Sequence, residues 1–492
     1  MKFFKFENSK TKNYSKISFL VILVALIINF FNLIDRDRAH SPGQDELTYF
    51  AYAYNIHHFN TFDYSLNKNS KPNSQKEPLY PWIISHVFKT IDNQFNDKNI
   101  ECFTKVEQKC HQESFHYFIF VNFVLFLITI LSSNLILYKL TKSYFACTIL
   151  SIFLLTNIMT LDMVGHLYRE NLITALLCVF SLTFFKIINE KKIQFNLIIF
   201  AGVLYGFLCL SHESFFLYSK LFIVLILLSF VFNKFKKIEL VNSNLISLKK
   251  ILLLFIISSI MISPYILRNV TLNGSPSIVS HGVENLVIRA EFISFKLKDA
   301  LKVMKMNYGI RDSISAKDLK DLRHYDLETY DTVRFTYTDK AYIKTRLREK
   351  NLEINDKNQM NESLRVIFID KLSNNLLTSL NIILKHSSNP KIELLNNYKK
   401  NKYKDSIVSY FNKINIVFDK LSLLFFFVVV IFFIIKRNSS FFYFVPILLY
   451  TLFFLFLVHY EQRYYWPLIP FTTIINSYII FTLYDKSRKY FK

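Results

Sequence analysis

Glycine and proline are scarce in this 492-residue chain, at 7 and 10, and tryptophan occurs twice. No P-loop and no Rossmann glycine fingerprint can be read in it, so the usual cradles for a nucleotide's phosphates are missing. No internal repeat stands out. Acidic residues are outnumbered, 37 Asp+Glu against 60 Lys+Arg, for a net charge of +23. That surplus comes with no nucleic-acid recognition motif, and much of it sits in short tracts between apolar blocks, so nucleic acid is not an expected partner. There are five cysteines. Cys147, Cys178 and Cys209 fall in apolar blocks and read as packing residues. Cys102 and Cys110 share a polar loop; their spacing permits a local disulfide without demanding it, and a zinc site with His111 is the less common alternative.

Apolar residues are abundant: 52% of the chain is hydrophobic and 17% aromatic. A soluble core of this size needs far less. The excess falls in blocks of roughly 17–25 residues, the length a helix needs to cross about 30 Å of hydrocarbon. These blocks cover residues 17–34, 115–138, 144–161, 170–188, 194–216, 217–233, 250–267, 417–435, 441–458 and 464–484. The fold class expected is therefore all-α and polytopic, with about ten transmembrane helices. The first block follows Lys2, Lys5, Lys10, Lys12 and Lys16. It is long for a signal-peptide core, no clean small-x-small cleavage site follows, and it reads as an uncleaved membrane helix.

Charge in the short connections tests this list. With the N-terminus in the cytoplasm, cations cluster on the cytoplasmic side at Lys139 and Lys142, at Lys186, Lys191 and Lys192, from Lys234 to Lys250, at Lys436 and Arg437, and from Lys486 to Lys492. The opposite turns carry about one cation each: Arg169, Lys220 and Arg463. The expected organisation is a cytoplasmic tail (1–16), a membrane core (17–267) with an outer loop at 35–114, and a long outer segment (268–416). The last membrane helices (417–484) and a cytoplasmic tail (485–492) follow. The long outer segment shows helical periodicity over 364–384 and suits a small helical subdomain or helices lying on the membrane surface.

Residues that could carry chemistry collect on the outer side. Asp45 and Glu46 stand just past the first membrane helix. There a partly dehydrated carboxylate can serve as a general base toward a substrate held in lipid; the plainer alternative is a solvated helix start with Asp45 as cap. Glu77-Pro78-Leu79-Tyr80-Pro81-Trp82 is either a rigid interfacial element or a plain turn back to the bilayer. Arg268, Arg463 and Arg169 sit at outer helix ends, where a guanidinium can grip a phosphate or simply snorkel. His57, His58 and His166 also lie outside.

Asp45-Glu46-x-x-Tyr49, followed about 30 residues on by Pro78-Leu79-Tyr80-Pro81-Trp82, resembles the GT-C membrane glycosyltransferases, including the protein O-mannosyltransferases and the aminoarabinose transferases of lipid A. Tyr168-Arg169-Glu170-Asn171, Ser263-Pro264-Tyr265 through Arg268-Asn269 with Gly274, and His459-Tyr460-Glu461-Gln462-Arg463-Tyr464 with Pro467 and Pro470 match later elements of that family in order and side. The likeness covers about 17–290 and 417–484, and leaves 300–410 without a counterpart. Where relatives carry Thr-Arg-Pro-Glu-like residues, this chain has Ser211-His212-Glu213.

The resemblance implies a GT-C-like bundle and an inverting transfer of sugar from a polyprenyl-phosphate donor to a hydroxyl on a glycan, on lipid A or on a protein. It implies the extracytoplasmic face of a bacterial inner membrane, with the bilayer itself a partner. It assigns Asp45 as base, with Glu46 beside it. It gives Arg268, Arg463 and Arg169 to the donor phosphate, and Tyr49, Glu77, Tyr80, His212, Glu213 and Asn269 to substrate. It leaves a divalent metal open as cofactor. The alternative from another class is a transporter or flippase of a lipid-linked glycan. That reading expects ionisable residues near the midplane or repeated halves.

Overall fold

In a computed structural model of the chain, the structure describes residues 9–36, 44–65, 71–91, 108–190, 194–216, 245–274, 276, 278, 282–294, 342–385, 407–457 and 462–490. Every regular element among them is helical. The membrane core begins with α1 (Ser9–Arg36), α2 (Gln44–Phe59) and α3 (Leu79–Ile91). Next come α4 (Gln108–Thr141), α5 (Tyr144–Thr156), α6 (Ile158–Gly165), α7 (Glu170–Asn189), α8 (Phe195–Ser211) and α9 (Leu245–Asn273). The segment between α9 and the last membrane helices supplies α10 (Gly282–Phe292), α11 (Tyr342–Glu349), α12 (Asp356–Arg365), a π turn (Val366–Asp370) and α13 (Leu372–Lys385). The chain ends with α14 (Ile407–Ile435), α15 (Val445–Leu457), a 3-10 segment (Gln462–Leu468) and α16 (Ile469–Tyr490).

By length and composition, the helices over Tyr117–Thr141, Glu170–Asn189, Lys249–Leu272 and Arg463–Arg488 can each cross a membrane. The chain is a multi-span helical membrane protein. Shorter apolar helices fill four further expected blocks, over Ser15–Phe30, Phe195–Ser211, Leu421–Ile435 and Val445–Leu457. The block at 217–233 lies outside the described residues, as do Cys102 and the side chain of Cys110, the pair whose spacing permits a disulfide.

One expected span is corrected. The block 144–161 is not a single helix: it breaks at Asn157 and bends by 68°. Asn157 takes extended backbone angles (φ −83°, ψ 124°) and its side chain accepts the Met159 N–H at 2.8 Å. A side chain that caps a new helix removes one rung of the old ladder, so the chain restarts as α6 in a new direction.

Helix directions put the chemistry at one end. On α8, a Cβ at Gly202 would lie 2.8 Å from Ile257 and one at Gly206 would lie 2.5 Å from the Met261 sulfur. Contacts that advance together along both helices mean that α8 and α9 run parallel, with glycines four apart letting the backbones approach. Lys250, at the start of α9, donates to the Ile187 carbonyl at the end of α7 at 2.9 Å. So α7 opposes α9, and the start of α7 and the ends of α8 and α9 share one end of the bundle. Phe30 stacks on Phe126 at 4.8 Å and Phe185 on Tyr443 at 3.8 Å, within one continuous apolar core.

Above that core lies a second, small one: Val287, Ala290 and Ile293 with Ile343, Leu347, Val366 and Ile367. It joins α10, α11 and the π turn.

Candidate functional site

Glu46 opens α2 and is fully buried. Its Oε1 accepts the Leu167 N–H at 2.7 Å and stands 3.2 Å from His166 Nδ1. This pins the first outer loop to the turn that precedes α7, across 121 residues of sequence. Asp45 occupies the second position of α2; its side chain lies outside the described residues.

Tyr80, on α3, meets Tyr49 edge-on at 5.5 Å and donates from its hydroxyl to Asn122 Oδ1 at 2.8 Å. Asn122 in turn donates to the His166 carbonyl at 2.7 Å. Burial pushes the Tyr80 phenol well above its usual range, so it stays a neutral donor. Lys76 stands over the Tyr49 ring at 5.5 Å. The aromatic residues of the Pro-Leu-Tyr-Pro-Trp element divide accordingly: Tyr80 is wholly buried and Trp82 is 53% exposed.

Arg169 is held between carboxylates. Its Nη1 donates to Glu77 Oε2, and its Nε lies 3.7 Å from Glu170 Oε1. Burial works against its charge, but Glu77, with Tyr49 and Glu170 behind it, keeps its pKa well above the ordinary arginine value.

Arg463 comes from the other end of the chain. Its guanidinium lies over the rings of Tyr168 (5.0 Å) and Tyr464 (5.5 Å). Trp466 stacks near His166 at 6.1 Å. His212, one residue beyond α8, is buried; Ser214 donates to its Nδ1 from the backbone (3.2 Å), and the Ser214 hydroxyl stands 2.8 Å away. Burial, then the charges of Arg169 and Arg463, hold its pKa well below the usual histidine value. It is a neutral imidazole whose Nδ1 accepts, leaving Nε2 as the donor. Glu213 follows it, half-buried.

Arg268 has different company. Its Nη1 donates to Asn269 Oδ1 at 2.9 Å and its Nη2 to the Asn73 carbonyl at 3.1 Å. Its plane lies 5.3 Å from the ring centres of both Phe62 and Tyr265. Among the described residues it makes no ion pair, so its charge is held by neutral groups alone. Asn269 is fixed too, donating to the Ile278 carbonyl at 2.9 Å.

Behind Arg268 stands a small network that the motifs did not single out. Asn73 accepts from the Tyr52 hydroxyl and donates to Asp63 Oδ1. Asp63 also accepts the Ser65 N–H at 3.0 Å, and its backbone carbonyl accepts from Asn55 at 2.8 Å. The only sequence signal for this network was a run of Asn, Asp and Ser in the first outer loop, which reads equally as ordinary turn chemistry.

Among the described residues, no three His, Cys, Asp or Glu side chains cluster in a way that could hold a metal ion. Glu46 and His166 form a pair only, and Glu46 Oε1 is already taken by an amide. The described donors therefore do not make a divalent-metal site.

No family model matches the chain, and no curated protein matches it. Solved structures do. Oligosaccharyltransferase AglB from Archaeoglobus fulgidus, in complex with an inhibitory peptide and a dolichol-phosphate, is similar at TM-score 0.47 and 13% identity, over 97% of this chain and 51% of that one. The Archaeoglobus fulgidus oligosaccharyltransferase tethered to an acceptor peptide gives 0.45 and 13%, over 96% and 50%. ArnT from Cupriavidus metallidurans bound to undecaprenyl phosphate gives 0.36 and 9%, over 93% and 78%. AglB and ArnT are both GT-C glycosyltransferases. The chain spans about half the length of the oligosaccharyltransferases it matches.

Proposed function

We propose that this protein is an inverting glycosyltransferase that moves a sugar from a polyprenyl-phosphate donor to an acceptor hydroxyl at the extracytoplasmic face of a membrane, in a bacterium the inner membrane. One observation carries the reading. Elements from five distant parts of the chain converge at one end of the helix bundle: Glu46 with Glu77, then Arg169, His212, Arg268 and Arg463. The convergence brings buried carboxylates and guanidinium groups, the latter suited to phosphate, to the same end of the bundle.

The chemistry follows from the groups present. Asp45 is the base: it takes the proton of the acceptor hydroxyl as that oxygen bonds to the sugar's anomeric carbon. The bond from that carbon to the phosphate oxygen breaks on the opposite side, inverting the centre and releasing polyprenyl phosphate. Phosphate is a good leaving group, so the main need is to stabilise the charge it gains. Arg268 suits this, because among the described residues no carboxylate pairs with its fork. Arg463 stands as a second cation, and neutral His212 can donate from Nε2. Arg169, engaged by Glu77, serves instead to hold the first outer loop. Glu46 anchors the start of α2, the turn that carries Asp45.

The test is transfer from defined polyprenyl-phosphate sugars by Asp45→Asn protein. The expected loss is about a hundred- to ten-thousand-fold with expression and folding retained, the range for removing a general base. Undiminished transfer rejects Asp45 as the base. Glycan profiles of cells lacking the protein then identify the acceptor.

A further inference from the structure

Helix α13 is built inside out. Its buried face is polar: Asn374, Asn375, Thr378 and Ser379 are 2%, 0%, 5% and 3% exposed. Its outward face is apolar: Leu372, Leu376 and Leu380 are 42%, 49% and 46% exposed. At four-residue spacing these leucines form one stripe, and the π turn before them adds Phe368 and Ile369, 45% and 71% exposed. Three of these four polar side chains are tied to neighbouring elements. Asn375 Oδ1 accepts from Arg289 Nε and Nη2 at 2.9 and 2.7 Å, and its amide donates to the Phe456 carbonyl. Ser379 donates to the Leu455 carbonyl at 2.7 Å, and Asn374 to the Ile293 carbonyl at 3.1 Å. A helix in water places these two faces the other way round.

We infer that α13 and the π turn lie in the bilayer's outer interface, with the stripe of Leu372, Leu376 and Leu380 immersed in lipid hydrocarbon, so that the outer subdomain rides on the membrane. Three observations favour lipid as the occupant. α13 packs against α14 and α15, and its Ile383 joins both apolar clusters of the bundle. α14 carries its own outward row of Leu421, Leu424, Val428, Ile431 and Ile435, each at least 45% exposed. The leucine stripe therefore continues a surface that already faces hydrocarbon. Finally, Arg365, just before the π turn, is 54% exposed and 3.7 Å from Asp370, so a cation borders the apolar stripe, as snorkelling cations border helices in an interface. The inference needs only a bilayer and does not depend on the sugar-transfer reading.

The test uses the full-length protein in phosphatidylcholine vesicles, with Leu372→Trp, Leu376→Trp and Leu380→Trp made singly. The two native tryptophans are subtracted as background. Asn351→Trp, on the turn after α11, serves as the water-facing control. The expected result is blue-shifted added emission, quenched at least about twofold more strongly by chain-brominated lipid than the control. Emission at the control's wavelength, with no bromine quenching, overturns the inference. So does blue-shifted emission that bromine cannot reach, which would mean that a second copy or another protein covers the stripe. Each leucine is outward, so the substitutions leave the core intact; monodisperse elution of each variant confirms folding before the optical measurement.

Discussion

Arg169 and Arg268 carry the same charge at the same end of the bundle, yet their neighbours set them to different work. Arg169 sits between Glu77 and Glu170, with its side chain 12% exposed. Removing it strands buried carboxylates, so Arg169→Ala is expected to cost about 3–5 kcal/mol in denaturant unfolding of the detergent-solubilised protein. Arg268, surrounded by neutral partners, is expected to behave oppositely. Arg268→Lys keeps a cation and loses the planar fork. It should leave unfolding nearly unchanged and lower kcat/KM for the donor by roughly tenfold or more, mainly through KM. A stability loss in Arg268→Lys matching that of Arg169→Ala would show that both arginines are structural. The sequence marked both residues as helix-end cations and could not rank them. Rank depends on partners 92 and 195 residues away, which no local pattern reports.

At the scale of elements, the parallel pair α8 and α9 decides where His212 and Arg268 end up. Gly202 leaves no room for a side chain against Ile257. Gly202→Val should therefore push α9 outward, lowering both thermal stability and donor transfer, and Ile257→Ala in the same chain should recover part of each. Failure of the second change to help would place the contact elsewhere. The outer subdomain offers a test by pH. Glu291 is buried and accepts the Tyr342 and Ile343 N–H groups at 3.0 and 2.8 Å, at the start of α11. Burial raises its carboxyl to about 7, outweighing those donors and Lys344. With the folded value above the unfolded one, the unfolded state releases its proton first as pH rises, so folding is penalised progressively. Amide exchange over α11 is expected to quicken as pH climbs from about 4.5 to about 7, after correction for intrinsic rates. A flat profile would remove Glu291 from the account. Periodicity over 364–384 showed that helices lie here. The sequence did not show that α13 turns its asparagines inward, because the same pattern fits either rotation until the surroundings are known.

For the whole molecule, the alternation of basic tracts predicts that both termini are cytoplasmic, and the proposed reaction needs the clustered site on the opposite face. Impermeant thiol labelling of Lys489→Cys, in a chain whose five native cysteines are replaced by serine, should fail in intact cells until the membrane is opened; labelling before that would invert the topology and the proposal with it. The transporter reading expected ionisable groups near the middle of the bilayer. Here Glu46, Glu77, Arg169, Arg268 and Arg463 gather at helix ends instead, an arrangement that suits chemistry at a surface.

The sequence by itself determined the helical, membrane-crossing character, and its basic tracts set the expectation for the side on which chemistry occurs. A hydrocarbon slab demands about 20 apolar residues per crossing and leaves charge only between them, so hydropathy and basic tracts record the outcome residue by residue. Only the tertiary structure decided which of the outer residues meet. It paired Glu77 with Arg169, gave Arg268 to Asn73, broke the chain at Asn157, and turned the leucines of α13 outward. Those outcomes depend on how the helices pack and turn against one another. That geometry belongs to the assembled bundle, and no single stretch of chain contains it.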